Sequence, residues 1–287
     1  MTPNEAAPVQ QPPARGWRRF IRRWLIFLAL LWIGSVIMLK ALENRFVYPG
    51  DTAAQSWMDS PAADTEDVWL KSADSTMIHG WFFPKPDAAN VFVVAHGNGG
   101  NLSHRGRLAV QLRDLVGAAV LLFEYPGYGK SNGSPSEQGC YAAGDAAVAW
   151  LIAEKKVPAN RLVLMGESLG GGVATEMATR HEHKALVLTK TFTSLPAAAK
   201  NLFPVLPTHT LMSNRYDNLA KLPKVRTPVF IAHGTADTLV PFRHAEELFA
   251  AANEPKELHR LEGHDHNAMF STDFFVALKA FLNQHAK

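Results

Sequence analysis

Seven strand-like runs recur along the chain beyond residue 76: Met77–Phe83, Val91–Ala95, Ala118–Phe123, Leu162–Met165, Ala185–Leu188, Val229–Ala232 and Glu257–Leu261. Several of them, such as VFVVA and AAVLLF, are apolar at every position. Short runs without polar alternation are the pattern of strands buried on both faces of a parallel sheet. Between them, the stretches near 103–116, 138–156, 170–181, 241–252 and 272–285 carry helical periodicity. Strand–helix alternation over about 220 residues predicts one α/β domain, with a mostly parallel central sheet and helices on both faces. The interval 192–223 interrupts the alternation with Pro196, Pro204, Pro207 and Pro223 among apolar residues. It is expected to form a small cap over the carboxyl edge of the sheet, the edge where such folds gather their active loops.

The first fifty residues follow a different pattern. Residues 1–16 are rich in Pro, Gln and Ala, a composition that cannot bury a core. Trp24–Leu39 then runs for 16 residues without a charge, and a snorkelling Lys40 would extend the span to Leu42. A cleaved signal peptide is the alternative, but no small-x-small site follows the run. The expected organisation is a disordered basic cytoplasmic tail over 1–23, a membrane anchor over 24–42, a linker over 43–64, and the α/β domain with its small cap over 65–287. Arg18, Arg19, Arg22 and Arg23 precede the span. By the positive-inside rule they would keep the N-terminus in the cytoplasm and leave the domain outside the cytoplasmic membrane, in the periplasm if the cell is bacterial.

Charge changes the picture once it is divided. The chain has 29 Lys/Arg against 26 Asp/Glu, but seven of the basic residues and two of the acidic ones fall within residues 1–50. The remainder carries 22 and 24, a net of −2, so the folded part has no basic surface for nucleic acid. Cys140 is the only cysteine, which excludes a disulfide framework and a cysteine zinc site.

Candidate chemistry lies at the strand exits. Gly166-Glu167-Ser168-Leu169-Gly170 follows one apolar run and opens a helical stretch, a G-x-S-x-G pattern in the strand–turn–helix context that projects a nucleophilic serine. His96-Gly97-Asn98-Gly99-Gly100 follows another run, and the backbone N–H groups of Asn98 and Leu169 are candidates for holding an oxyanion. A phosphate loop ending at Gly129-Lys130-Ser131 fails on spacing, because Glu124 stands where its first glycine belongs. His96 is expected to be structural. Asp237, just beyond His233-Gly234, is a candidate triad acid with helix capping as the alternative. In Gly263-His264-Asp265-His266-Asn267 either histidine could be the base, and spacing does not choose. A zinc site of the form H-x-H-x-D-H is not matched, since Asn267 and Ala268 follow, and no metal is expected.

Taken in order, HGNGGN, FEYPGYGKSNGSP, GESLGG, FTSL, HGTADTLVP and GHDHN resemble the motifs of the α/β-hydrolase superfamily over about residues 65–285. The similarity is greatest to its membrane-anchored, bud-emergence-protein-like serine hydrolases. That resemblance implies an α/β-hydrolase fold, preceded here by one transmembrane helix. In that branch the base is the histidine directly followed by asparagine, which selects His266 and leaves His264 as the alternative. The implied function is cleavage of a carboxylic ester or thioester, with a small-molecule or lipid-like acyl substrate, through Ser168, Asp237 and His266 and without a cofactor. A peptidase of the same fold and a non-catalytic membrane-tethered binding protein are the alternatives. Glu124, Lys190-Thr191 and Ala268 depart from the usual pattern.

Overall fold

A computed structural model of the chain describes residues 15–286. It divides at Glu43 into two compact units. The first is built on α1 (Arg15–Ala41), 27 residues and so roughly 40 Å long. Its apolar side chains, among them Trp24, Leu28, Leu31 and Trp32, are exposed, and the helix is long and apolar enough to cross a membrane. Residues 1–14 of the tail expected to be disordered lie outside the described residues. Residues 15–23, assigned to the same tail, instead extend the helix toward the N-terminus. They contain no proline and only good or neutral helix formers apart from Gly16, so nothing stops the helix from starting early.

The second unit is an eight-stranded sheet in the order β1-β2-β4-β3-β5-β6-β7-β8. The strands are β1 (Glu66–Lys71), β2 (Met77–Phe83), β3 (Val91–Ala95), β4 (Ala119–Phe123), β5 (Leu162–Glu167), β6 (Ala185–Thr189), β7 (Val229–Gly234) and β8 (Lys256–Leu261). β2 is antiparallel to β1 and β4, and all pairings from β4 to β8 are parallel. Successive residues of a strand face opposite sides. Val91, Val93 and Ala95 of β3 therefore join one apolar layer, and Phe92 and Val94 join the other. The first layer is closed by α4 (Glu137–Ala153), α5 (Leu169–Arg180) and α9 (Arg243–Ala251). The second is closed by α3 (Gly106–Gln111) and α10 (Thr272–His285). Because both faces are covered, the central strands β3 to β7 are almost wholly buried, which is why they read as unbroken apolar runs.

The interval expected as a cap connects β6 to β7 and holds three short helices, α6 (Leu195–Leu202), α7 (Thr208–Leu211) and α8 (Asn218–Lys221). The stretch expected as a linker, 43–64, is a correction: from Asn44 onward it belongs to the second unit. Val47, at the end of the short helix α2 (Glu43–Val47), and Tyr48 are buried, and Gly50 and Thr52 form isolated bridges with Gly100 and Gly129. This segment has no periodic run, so its ordering comes from tertiary contacts that sequence patterning does not register.

Candidate active site

Ser168 stands between β5 and α5 with φ 54° and ψ −117°, a region non-glycine residues occupy only under constraint. The constraint comes from packing on either side. A Cβ at Gly166 would lie 2.2 Å from the Gly170 carbonyl oxygen, and one at Gly170 would lie 2.0 Å from the Ala95 carbonyl oxygen. Both glycines are required for the close approach of α5 to the sheet. The turn is tied at both ends of the residue to the end of β6 and the loop that follows it. Ser168 N donates to Thr189 O at 2.9 Å, and Thr191 Oγ1 donates to Ser168 O at 2.7 Å.

The carboxyl ends of β7 and β8 supply the next two groups. His266 Nε2 lies 3.1 Å from Ser168 Oγ, and His266 Nδ1 lies 2.7 Å from Asp237 Oδ2. This geometry fixes the neutral tautomer: Nδ1–H donates to the carboxylate, and Nε2 accepts the serine hydroxyl proton. Asp237 is buried, which would raise its pKa. Hydrogen bonds from the rings of His233 and His266 and from Val240 N outweigh burial and hold the carboxyl well below the usual carboxylate range. Its Oδ1 also accepts from Leu239 N (3.0 Å) and Val240 N (2.7 Å), so the helix-capping alternative survives in part as a loop-closing role. Asp265 joins the two loops, accepting from Thr238 N at 3.1 Å. His264 does not enter this chain of contacts. Its backbone carbonyl accepts from Ala236 N at 3.1 Å, while its Nδ1 is buried without a hydrogen-bond partner.

The glycine-rich turn after β3 lies against the serine: a Cβ at Gly97 would sit 3.5 Å from Ser168 Cβ. His96 is buried and structural, as its position at a strand end suggests. Its Nδ1 donates to Gly97 O at 2.7 Å, and its Nε2 faces Glu124 Oε2 at 3.0 Å. Because a peptide group is planar and trans, fixing Gly97 C=O also directs Asn98 N–H the opposite way. Among the described residues, no protein acceptor takes the Asn98 amide. Leu169 opens α5, where first-turn amides have no partner within the helix. Both proposed oxyanion donors are thus available.

Sequence reasoning missed several supports. His233 donates to Val240 O at 2.7 Å and approaches, at 3.2 Å, the same Asp237 Oδ2 that His266 contacts, steadying the acid. Lys190, noted only as a departure from family pattern, is buried with φ 50°. Its ammonium donates to Ala268 O, lies 3.7 Å from Glu167 Oε1 and sits 4.4 Å over the Phe270 ring. Burial pushes its pKa below the ordinary lysine value. The sequence signal was present: a lysine directly after an apolar strand, where the family pattern has an acid, calls for a buried acceptor.

The mostly parallel sheet with helices on both faces defines a class, the α/β hydrolases, and comparison with known proteins agrees. A family model described as the alpha/beta hydrolase fold matches residues 90–211. The uncharacterized protein Rv2307c of Mycobacterium tuberculosis is 34% identical, over 90% of this chain and 94% of that protein. The alpha/beta hydrolase domain-containing protein WAV2 of Arabidopsis thaliana is 29% identical over 77% of this chain and 79% of its own. Among solved structures, a Pyrococcus furiosus esterase superposes with a TM-score of 0.67 at 19% identity, covering 81% of this chain and 97% of that one, a likeness of fold. The chain belongs to the α/β-hydrolase family.

Proposed function

We propose that this α/β hydrolase is a serine hydrolase that cleaves a carboxylic ester or thioester through an acyl-enzyme. The observation that carries this reading is the hydrogen-bonded succession Ser168 Oγ, His266 ring, Asp237 carboxylate at 3.1 and 2.7 Å, starting from a serine in a constrained backbone conformation. His266 Nε2 takes the Ser168 proton as Oγ attacks the acyl carbonyl carbon. The carbonyl π-electrons move onto oxygen, and the amides of Asn98 and Leu169 hold that charge, aided by the N-terminal end of α5. Asp237, kept ionised, offsets the imidazolium. Collapse of the tetrahedral intermediate expels the alcohol or thiol, which takes the proton from His266. Water then attacks the acyl-enzyme by the same route and regenerates Ser168.

α1 is read as an uncleaved single-pass anchor, with the N-terminus cytoplasmic and the hydrolase unit extracytoplasmic. A lipid-like acyl group is the substrate class that fits an enzyme held at a bilayer. The test is covalent labelling by a fluorophosphonate alongside hydrolysis of p-nitrophenyl butyrate. The parent is expected to do both and Ser168→Ala neither. A parent chain that reacts with neither probe would sink the reading.

A further inference from the structure

The turn Gly97-Asn98-Gly99-Gly100 has three glycines in four residues, and glycine loses more conformational freedom on ordering than any other residue. An oxyanion donor works only if it is oriented before the charge develops. The turn therefore needs restraint from outside itself, and much of that restraint comes from the segment that follows α1 in sequence. Asn98 Nδ2 donates to Val47 O at 2.9 Å. Asp51 N donates to Gly100 O at 3.1 Å. Asn101 Nδ2, at the end of the turn, donates to Ser56 O at 2.6 Å. Tyr128 completes the clamp: its hydroxyl donates to Asn98 O at 3.0 Å, and its ring fills the space beside Gly50, where a Cβ would lie 1.8 Å from the ring. The same segment reaches the exit of the cap interval, since Tyr48 OH donates to Asn214 Oδ1 at 2.6 Å and meets Tyr216 OH at 2.9 Å.

We propose that residues 44–57 form a strap that positions the Asn98 amide for catalysis, with Val47, Gly50 and Tyr128 as positioning residues. The inference rests on the serine-hydrolase reading. The strap never touches the reacting atoms; it ties the Asn98 side chain and the Gly100 carbonyl, and Gly50 seats the Tyr128 ring whose hydroxyl holds the Asn98 carbonyl. Loosening it should weaken the hold on the transition-state oxyanion and leave ground-state binding alone.

The test compares the full chain with Tyr128→Phe, Asn98→Ala and Gly50→Ala. Tyr128→Phe removes one hydroxyl, Asn98→Ala cuts the side-chain tie but keeps the backbone amide, and Gly50→Ala drives a methyl into the Tyr128 ring. Each is expected to lower kcat for p-nitrophenyl butyrate by about 10- to 100-fold, short of the full loss of a donor, with KM within about twofold. Fluorophosphonate labelling should slow by the same factor, because phosphonylation also loads charge onto an oxygen. Amide exchange should accelerate at residues 97–100 and stay unchanged at 168–172. An unchanged kcat with unchanged exchange would overturn the proposal, as would a raised KM at constant kcat. If Gly50→Ala fails to fold, Tyr128→Phe decides. If the parent is itself inactive, the hydrolase reading fails and the catalytic role falls with it, while the exchange data still report whether the strap restrains the turn.

Discussion

The turns that carry Ser168 and Asn98 leave neighbouring parallel strands, β5 and β3, and both are rich in glycine, yet they are held by opposite means. The Ser168 turn is locked by contact. Its glycines touch carbonyl oxygens of the sheet and helix so closely that no side chain fits, and the backbone has one place to go. The Asn98 turn is open at Gly99, where a Cβ would meet nothing within 4 Å, and closes only at Gly100, where one would lie 2.6 Å from the His104 ring; its order comes mainly from hydrogen bonds donated by His96, Asp51 and Tyr128. Both turns lean on segments distant in sequence, one chiefly through steric contact and the other chiefly through hydrogen bonds. A nucleophile that must stand in a strained conformation needs the first kind of support. A backbone amide that must face a substrate, as Asn98 N–H would, needs room, and so takes the second.

The largest effect should appear at the one outside contact on which the chemistry of the Ser168 turn depends. His266→Ala should lower kcat for p-nitrophenyl butyrate by on the order of 10⁴-fold or more, with His264→Ala nearly silent. A collapse in His264→Ala alone would show that the imidazole contacting Ser168 is not the working base. Next, Gly170→Ala should destabilise the fold by roughly 3 kcal/mol or more in urea unfolding, since the new methyl meets backbone that cannot give way. If Gly170→Ala were as mild as a surface change, the picture of a contact-locked turn would be wrong. Asp237 gives a smaller, pH-dependent effect. Because its folded pKa is depressed, its stabilisation is present above the ordinary aspartate value of about 3.9 and is lost as pH falls from there toward the folded value. The stability gap between parent and Asp237→Asn should thus be steady near neutrality and shrink below about pH 4. A gap that stays constant down to pH 2.5 would contradict that assignment. Smallest of all, Gly99→Ala should shift stability by no more than about 0.5 kcal/mol, because its methyl enters open space. A large loss there would mean that the Asn98 turn is also packing-limited, and the contrast would dissolve.

The central strands were legible because burial on both faces leaves no polar position to interrupt them. β1 was missed for the converse reason: its pattern EDVWLK buries only Val68 and Leu70, and an edge strand with two inward residues looks like a loop. Ser168 and Asp237 could be read from strand-exit position and residue type. The choice between His264 and His266 could not, since it depends on where the loop after β8 turns; family resemblance chose His266, and the fold brings that ring to Ser168. The strap and His233 stayed hidden because each acts largely through backbone carbonyls, which leave no letter in the sequence; Lys190 did leave one, a lysine at a strand exit, but its acceptors lie in other segments. Glu124 was noted as a departure from pattern, but its bond to His96 emerges only when β3 and β4 lie side by side.

The strap also sets an order of events during synthesis. Tyr48 and Asn214 are 166 residues apart, and at ribosomal rates of 5–20 residues per second they are made roughly 10–30 s apart. Closing so wide a loop carries an entropic cost that local contacts avoid. The strap's hold on the cap interval is therefore finished late, after the strands around the Asn98 turn can already pair. An unfinished chain can carry Ser168 on its turn before the strap has gained its hold on Asn214 and Tyr216. Reactivity should therefore arrive only with the last third of the polypeptide, which also brings Asp237 and His266.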